Sequence, residues 1–302
     1  MSTGKKSILI TGANSYIGTS VEKYLLQWPD AYQVETIDMV DGAWRAKSFS
    51  GYDVVFHVAG IAHQDTGQVD KERYEQYYAI NKDLTIETAA KAKKDSVSHF
   101  IYMSSMSVYG KSSKIGQTKA IDAATLPSPV NAYGDSKLQA DLRIQAMQDA
   151  GFAVSVLRPP MVYGAGCKGN YLSLSNAAKK LPLFPDVQNE RSMIYIGNLA
   201  AFIKNVIDKK IPGVLFPQNN EYVCTSDMVK EIAIVHGKRM LFTRLFNPLI
   251  RLLSGKMGVV EKVFGNLTYS REVSLSDNGR LPYSFRESIR LTEEIEGSNA
   301  NQ

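Results

Sequence analysis

The chain has 302 residues, of which 44% are hydrophobic, 22% charged and 10% aromatic, as is typical of a folded globular protein. This composition excludes a disordered chain, a collagen and a small disulfide-rich scaffold. The net charge of +5 comes from 35 lysines and arginines scattered among 30 acidic residues, which does not indicate a nucleic-acid-binding protein. The length allows one large α/β domain or two smaller ones.

Cysteine content and hydropathy predict the compartment. Cys167 and Cys224 are not part of a Cys/His cluster that could bind zinc, so we expect core thiols and no metal site. The apolar run at residues 8–10 is far too short for a signal peptide, and no stretch approaches the roughly 18 uninterrupted apolar residues of a membrane span. We therefore expect a cytoplasmic protein.

Short apolar segments alternate with helical periodicity over the first half of the chain. Strands, each ending in turn residues, are predicted at 7–11, 34–38, 54–60, 99–103 and 154–158. Helical spacing follows Gly18, and it recurs at about 70–95, at about 136–150 and at 196–207. This alternation predicts an α/β fold with a doubly wound parallel sheet that has room for six strands.

The apolar pattern weakens beyond Gly164, where glycines and prolines separate shorter elements. We predict a first domain at 1–163, to which residues 195–210 return. A smaller C-terminal α/β lobe is predicted at 164–194 and 211–302.

Residues 241–264 are dense in apolar side chains with cations among them, as an interfacial helix would be. Asn247, Pro248 and two glycines interrupt this segment. We therefore expect it to pack against the sheet domain, without membrane contact. We expect the tail from Leu291 to be frayed.

A glycine-rich turn joins the first predicted strand to the first helix, and it reads Thr11-Gly12-Ala13-Asn14-Ser15-Tyr16-Ile17-Gly18. Gly12 can form the tight turn and Gly18 the close helix-to-strand contact, while amides at the helix start face a diphosphate. Asp38, twenty residues after Gly18, would accept hydrogen bonds from an adenosine ribose and repel a 2′-phosphate. NAD(H) is therefore favoured, with NADP(H) as the alternative. Asp38 as an ordinary turn residue is the competing interpretation.

Tyr133 and Lys137 lie four residues apart near a predicted helix start, and hence on one helix face. A neighbouring cation favours the phenolate, so we expect Lys137 to lower the pKa of Tyr133 and make it an acid/base catalyst. Ser105 follows the strand before this helix, where its hydroxyl can point into the same crevice. Because a Tyr-x-x-x-Lys spacing alone arises easily by chance, this position after the strand gives the motif its weight.

Seven motifs occur along the chain in this order: TGANSYIG, HVAG, Asn81 in the long helix, SSMSVYG, YGDSK, LRPPMVYG and RSMIYIGNLA. Through them nearly the whole chain resembles the extended short-chain dehydrogenase/reductase family, in particular its nucleotide-sugar epimerases and reductases. The resemblance implies a Rossmann-type fold, with NAD(P) bound by the first domain and substrate by the smaller lobe. It also implies a UDP-sugar substrate and a homodimer.

The resemblance gives each site residue a role. Ser105 and Tyr133 contact the reacting oxygen of the sugar, Tyr133 carries the proton, and Lys137 binds the nicotinamide ribose. Hydride moves between C4 of the sugar and the nicotinamide. The other implied cofactor contacts are Gly12, Asn14, Ser15, Tyr16, Ile17, Gly18, Asp38, Val58, Ala59, Gly60 and Asn81, the last of which steadies the active-site backbone.

Three residues are implied to contact the nucleoside diphosphate of the substrate: Asn170, Phe184 and Arg191. Asn170 is a polar contact, Phe184 is a ring near uracil, and the Arg191 fork suits the phosphates. The competing structural interpretations are a core position for Phe184 and a surface ion pair for Arg191.

The chain departs from the family pattern at several positions. Ser15 replaces the middle glycine of the turn, so its hydroxyl could contact phosphate, and Met161 replaces an asparagine that often contacts substrate. Only fifteen residues separate Asp38 from the strand at Val54, too few for a standard strand and helix crossover. Met106 and Ser107 stand where sugar 4,6-dehydratases carry an Asp-Glu pair, which disfavours a dehydratase.

Three interpretations stay open. The favoured one is an NAD(P)-dependent reductase of a UDP-4-keto-6-deoxy-N-acetylhexosamine in surface polysaccharide synthesis, because residues 169–171 and 263–269 resemble capsule-sugar reductases. The second is a UDP-glucose or UDP-N-acetylglucosamine 4-epimerase that retains NAD. The third is a non-catalytic regulator that senses a dinucleotide, which the presence of Ser105, Tyr133 and Lys137 disfavours.

Overall fold

The computed structural model describes residues 4–61, 70–275 and 281–300, with only the backbone of residues 275 and 297–300. The chain divides into two compact units. The first comprises Met1–Gly110, Leu126–Pro159 and Ala200–Pro217, and the second comprises Lys111–Thr125, Pro160–Leu199 and Gln218–Gln302. Residues 111–125, which the sequence assigns to the first domain, thus group with the second unit.

The elements of the described residues are as follows. The strands are β1 Lys6–Thr11, β2 Tyr32–Ile37, β3 Val54–His57, β4 His99–Met103, β5 Ala120–Ile121, β6 Ala153–Leu157, β7 Met161–Tyr163, β8 Leu183–Pro185, β9 Met193–Tyr195, β10 Gly213–Leu215, β11 Leu241–Thr243 and β12 Thr268–Tyr269. The helices are α1 Tyr16–Leu25, α2 Lys71–Gln76, α3 Leu84–Lys94, α4 Ala132–Gln145, α5 Asn170–Lys180, α6 Ile196–Lys209, α7 Thr225–Val235, α8 Asn247–Leu253, α9 Gly258–Phe264, α10 Arg271–Leu275 and α11 Phe285–Ala300.

A six-stranded parallel sheet in the order β10-β6-β4-β3-β1-β2 forms the centre of the first unit. The inner strands β1, β3, β4 and β6 are largely apolar and buried, as expected where helices cover both faces, and Ile8, Leu9 and Ile10 of β1 have no exposed surface. The predicted α/β fold with a Rossmann-type parallel sheet is therefore confirmed. Consecutive strands β2 and β3 lie on opposite sides of β1, so the carboxyl ends of β1 and β3 border the crevice where such sheets bind ligands.

The chain crosses from β2 to β3 without a helix of standard length, as the fifteen-residue spacing predicts. A single 3-10 turn, Ala43–Arg45, lies in this connection. Trp44 and Phe49 are almost wholly buried there, with ring centroids 6.4 Å apart. Two aromatic side chains therefore fill the core in this connection.

The long helix predicted at about 70–95 is present but irregular. A π-helical segment, Tyr77–Asp83, separates α2 from α3. Such segments are rare and often occur at functional sites. The helix expected from about residue 136 begins earlier, at Ala132, where the side chain of Asn131 caps it by accepting a hydrogen bond from the amide of Gly134 at 2.8 Å.

The second unit contains three two-stranded parallel sheets, β7-β9, β8-β11 and β5-β12, together with α5, α7 and α11. Glu293 of α11 is buried and accepts hydrogen bonds from Tyr171 at 2.8 Å, Ser175 at 3.1 Å and His236 at 2.7 Å. Lys179 lies 2.8 Å from the same carboxylate. The expectation of a frayed tail from Leu291 is wrong, because α11 continues through that residue. Among the helices of residues 4–61, 70–275 and 281–300, none is long and apolar enough to cross a bilayer.

Candidate active site

The glycine-rich turn joins β1 to α1 with the geometry that its glycines predict. Gly12 has a φ of +105°, and a Cβ there would lie 2.8 Å from the backbone nitrogen of Ala59. A Cβ at Gly18 would lie 2.5 Å from Oγ of Ser15 and 3.1 Å from Val58. Side chains at these two positions would therefore clash with neighbouring atoms of the turn and of residues 58–59, which explains why both are glycine.

Ser15 caps α1. Its backbone is extended, and its Oγ accepts a hydrogen bond from the amide of Gly18 at 3.2 Å. The hydroxyl hydrogen stays available as a donor, together with amides of the first turn, where Tyr16 and Ile17 lie. Asn14 precedes the cap in the left-handed region, with a φ of 64°, and its side chain is exposed. The turn thus presents donors at the positive end of a ten-residue helix.

Asp38 follows the last residue of β2 and is exposed. One of its carboxylate oxygens accepts a hydrogen bond from the amide of Val40 at 2.9 Å. The other oxygen remains an acceptor for a hydroxyl group. Because β2 pairs with β1, the carboxylate and the glycine-rich turn both lie at carboxyl ends of adjacent strands.

Residues 58–60 continue β3 next to the glycine-rich turn. The amides of Val58 and Ala59 donate to the carbonyl of Thr11 at 3.1 and 2.9 Å. A Cβ at Gly60 would lie 2.9 Å from Oδ1 of Asn81 and 3.0 Å from Nζ of Lys137. Gly60 therefore lets the backbone approach the two polar side chains that the sequence placed in the site.

Asn81 is buried in the π-helical segment, and its side chain holds the chain after Gly60. Its Oδ1 accepts from the amide of Ile61 at 3.0 Å, and its Nδ2 donates to the carbonyl of the same residue at 3.2 Å. The backbone carbonyl of Asn81 accepts from Tyr102 and from Thr85. These contacts agree with the steadying role that the family resemblance implies.

Ser105, Tyr133 and Lys137 all belong to the first unit, at the carboxyl end of β4 and the first turns of α4. Ser105 begins the 3-10 turn Met106–Tyr109, and its side chain forms a hydrogen bond with Tyr133. Lys137 is 5% exposed, and its Nζ donates to the carbonyl of Met103 at 2.9 Å. The predicted catalytic residues therefore share one site.

The pKa of Tyr133 shifts in the direction opposite to the sequence-based expectation. Burial raises the pKa of this phenol above its usual value of 10, and the hydrogen bond with Ser105 only partly offsets that rise. Burial also lowers the pKa of Lys137 to about 7, against an opposing effect of Asp141. The expectation that Lys137 lowers the pKa of Tyr133 is wrong for the described structure, in which Tyr133 is protonated at neutral pH.

An ion pair that the sequence did not predict lies one turn beyond Lys137. The carboxylate of Asp141, which has no exposed surface, accepts from Nε of Arg158 at 2.9 Å and from Ser104 at 3.1 Å. Arg158 also donates to the hydroxyl of Tyr109 at 2.5 Å. The four-residue spacing of Lys137 and Asp141 on α4 could have suggested this neighbour. The pair anchors α4 to the ends of β4 and β6.

The three residues implied to contact the nucleoside diphosphate lie in the second unit. Asn170 is exposed at the start of α5. Phe184 is buried, with its ring centroid 6.3 Å from that of Phe242 and 6.0 Å from that of Phe264, so it occupies a core position. This arrangement matches the structural interpretation of Phe184 and leaves a uracil contact untested.

Arg191 is half-buried, and its guanidinium has neutral partners. Nη1 donates to the carbonyl of Gly265 at 2.8 Å and to Oγ of Ser112 at 3.3 Å. Burial lowers the pKa of Arg191 to about 10, so the group stays charged at neutral pH. These neutral acceptors do not compensate the positive charge of the guanidinium, so Arg191 is suited to bind an anion. No cluster of three or more His, Cys, Asp or Glu able to hold a metal occurs within the described residues.

Comparison with known proteins agrees with this site. Residues 8–215 match the model of a family described as the NAD dependent epimerase/dehydratase family. The chain belongs to that family.

Individual relatives and structures resemble the chain over most of its length. A UDP-glucose 4-epimerase from Vibrio cholerae is 29% identical over 287 residues, which are 87% of this chain and 86% of that protein. MoeE5, solved in complex with UDP-glucose and NAD, aligns with 98% of this chain and 100% of its own at a TM-score of 0.72 and 18% identity. A dTDP-4-dehydrorhamnose reductase from Bacillus anthracis str. Ames, solved with NADP, aligns with 96% of this chain and 99% of its own at a TM-score of 0.71 and 15% identity. The two structural likenesses establish the shared fold.

Proposed function

We propose that the protein is an NAD(P)-dependent oxidoreductase acting at C4 of a UDP-sugar. The observation that carries this proposal is the convergence of Ser105, Tyr133 and Lys137 at the end of β4, beside Gly60. This arrangement offers a proton donor, a hydrogen-bonding hydroxyl and a cation in one place. Burying the amine of Lys137 against a carbonyl oxygen is energetically costly, which favours a chemical role for this lysine.

The residues of the first unit fit a nicotinamide dinucleotide. The turn at Gly12 and Gly18 is a cradle that a Cβ would fill, and Ser15 adds a hydroxyl donor to the amides of α1. The exposed carboxylate of Asp38 suits the ribose hydroxyls and repels a 2′-phosphate, so NAD(H) is the proposed cofactor and NADP(H) the alternative. The same preference is consistent with MoeE5, which was solved with NAD.

The proposed reaction uses the protonated phenol. Tyr133 donates its proton to the oxygen at C4 of the sugar, while Ser105 orients that oxygen by a hydrogen bond. A nicotinamide cofactor supplies the hydride for C4 when bound. Lys137, with a pKa of about 7, is partly protonated at neutral pH. Its protonated form stabilises the phenolate that Tyr133 becomes when it gives up its proton. The substrate diphosphate is proposed to bind Arg191.

We favour reduction over epimerisation because residues 169–171 and 263–269 resemble the corresponding segments of capsule-sugar reductases. Tyr133, protonated in the free protein, would then be the acid that protonates the 4-keto group. The proposed substrate is a UDP-4-keto-6-deoxy-N-acetylhexosamine. The second candidate is a 4-epimerase, because the relative from Vibrio cholerae carries the name UDP-glucose 4-epimerase.

A cofactor balance separates these candidates. Purified protein is mixed with NADH and a UDP-4-keto sugar, and absorbance reports the oxidised cofactor while chromatography reports the sugar. A reductase consumes one NADH per sugar reduced, and we expect this result. Interconversion of UDP-glucose and UDP-galactose without net cofactor use would identify the epimerase. Cofactor binding without turnover of either substrate would contradict the enzymatic proposal and favour a sensor.

A further inference from the structure

Large apolar side chains are exposed in one short stretch of the second unit. Within residues 241–259, seven of them are at least 43% exposed: Leu241, Leu245, Phe246, Leu249, Leu252, Met257 and Val259. Elsewhere in the described residues, large exposed apolar side chains occur singly or in pairs along the chain, which is ordinary for a protein surface. A concentration of this kind marks an interaction surface. Residues 241–262 are named here the α8–α9 surface.

The arrangement of α8 shows that this exposure follows one face of the helix. Asn247, Ile250 and Arg251 line a small cavity of about 170 Å³, together with residues 115–116 and 186–188. Leu249 and Leu252 of α8 fall at positions i and i+3 of the helix, and they are 56% and 65% exposed. Leu245, in the turn before α8, is 85% exposed. Packing of residues 241–264 against other parts of the protein therefore leaves this face of α8 uncovered.

Cations are interspersed along the sequence with the exposed apolar residues. Arg244, Arg251, Lys256 and Lys262 are exposed within the α8–α9 surface, whose one acidic residue is Glu261. Residues 111–119 add three lysines and no acid. The two segments thus hold seven cations against one acid, a formal charge of +6, whereas the whole chain carries +5. The net positive charge of the chain is therefore concentrated in these two segments, and the positive and negative charges of the remaining sequence nearly cancel.

Contacts hold the lysine-rich segment 111–119 against the α8–α9 surface. The amide of Ile115 donates to Oγ of Ser254 at 3.1 Å, and a Cβ at Gly255 would lie 3.1 Å from Cε of Lys114. Asp186 pairs with Arg244 at 2.8 Å and neutralises that one cation. Arg251, Lys256 and Lys262 are exposed and alternate in sequence with the exposed apolar residues.

We propose that the α8–α9 surface docks on a lipid bilayer that contains anionic phospholipid. Exposed leucine, phenylalanine, methionine and valine enter the interface between headgroups and acyl chains, and the lysines and arginines contact the anionic headgroups. A second copy of the chain is the weaker candidate, because a twofold contact would bring two like charges of +6 together. A purely acidic protein partner would leave the seven apolar side chains unexplained.

The proposal is tested by sedimentation of the full chain with vesicles. We expect binding to phosphatidylcholine vesicles with about 30 mol% phosphatidylglycerol, and at least about tenfold weaker binding to phosphatidylcholine alone. Binding to anionic vesicles should also weaken at about 1 M salt, where the screening length falls to about 3 Å. The double variant Leu249→Ser/Leu252→Ser should reduce the lipid partition coefficient by about tenfold or more.

A matched control replaces two exposed apolar side chains elsewhere. Leu126 and Ile234 are 83% and 58% exposed outside the α8–α9 surface, so Leu126→Ser/Ile234→Ser should bind vesicles like the unmodified chain. Circular dichroism and thermal melting verify that both double variants fold. The proposal is overturned if the unmodified chain does not bind anionic vesicles or if both double variants bind equally. It is also overturned if Leu249→Ser/Leu252→Ser abolishes a lipid-free dimer while vesicle binding persists, since the surface would then join two copies.

Discussion

Replacing Lys137 by methionine tests whether the amine is as strongly desolvated as its burial implies. Burial lowers the pKa of Lys137 from 10.5 to about 7, and one pKa unit corresponds to about 1.4 kcal/mol. Between these two values the unfolded chain holds a proton that the folded protein lacks, so the free energy of unfolding rises with pH. Below about pH 7 both states are protonated, and the penalty for burying the ammonium is fully present.

The predicted magnitude follows from that pH range. From about pH 7 to about pH 9, the titration of Lys137 should add about 2–3 kcal/mol to the free energy of unfolding of the unmodified chain. Lys137→Met lacks this contribution, so the difference between the two unfolding free energies should change by that amount over the same range. Subtracting one unfolding free energy from the other cancels the contributions of groups that titrate equally in both proteins.

Urea unfolding of the cofactor-free protein at several pH values measures this difference. Lys71→Met is the matched control, because the side chain of Lys71 is 90% exposed and this variant makes the same replacement without removing a buried amine. If the profiles of Lys137→Met and the unmodified chain stay parallel between about pH 7 and about pH 9, the reasoning is refuted. The amine would then be equally well solvated in the folded and unfolded states.

Three further predictions concern individual side chains. Tyr133→Phe should lower kcat by about 10²–10⁴ while the Kd for NADH, followed by its fluorescence, stays the same; unchanged turnover would contradict the proton-donor role. Asp38→Ala should reduce the preference for NADH over NADPH by about tenfold, measured as the ratio of kcat/KM values, and an unchanged ratio would remove Asp38 from the cofactor site. Trp44→Ala should lower the free energy of unfolding by about 3–5 kcal/mol in urea, because the ring is 1% exposed; a loss under about 1 kcal/mol would show that the crossover refills the cavity.

The parallel sheet could be predicted from the sequence because helices cover both of its faces. A strand in that position is a continuous apolar run, and the predicted strand at residues 99–103 coincides with β4. The turn between Gly12 and Gly18 could also be predicted from the sequence, because neighbouring atoms leave no room for a side chain at either glycine.

Irregular and long-range features were not readable in the same way. Apolar periodicity does not distinguish an α-helix from one with an inserted residue, so the π-helical segment around Asn81 gave no signal. The glutamate-rich tail resembled a frayed end, whereas Glu293 is buried by partners more than a hundred residues away on α5. Spacing placed Lys137 near Tyr133, but it could not reveal that the amine would donate to the carbonyl of Met103.

The position of Glu293 also matters for anyone who shortens this protein for crystallisation or fuses it to a reporter. Deleting the last turns of α11 would leave Lys179 and His236 without their shared carboxylate, and the hydroxyl of Tyr171 without its acceptor. Unsatisfied polar groups of this kind commonly cost about 1–3 kcal/mol each. A shortened chain should therefore keep every residue through Glu296. A fusion partner is better attached through a linker after residue 300.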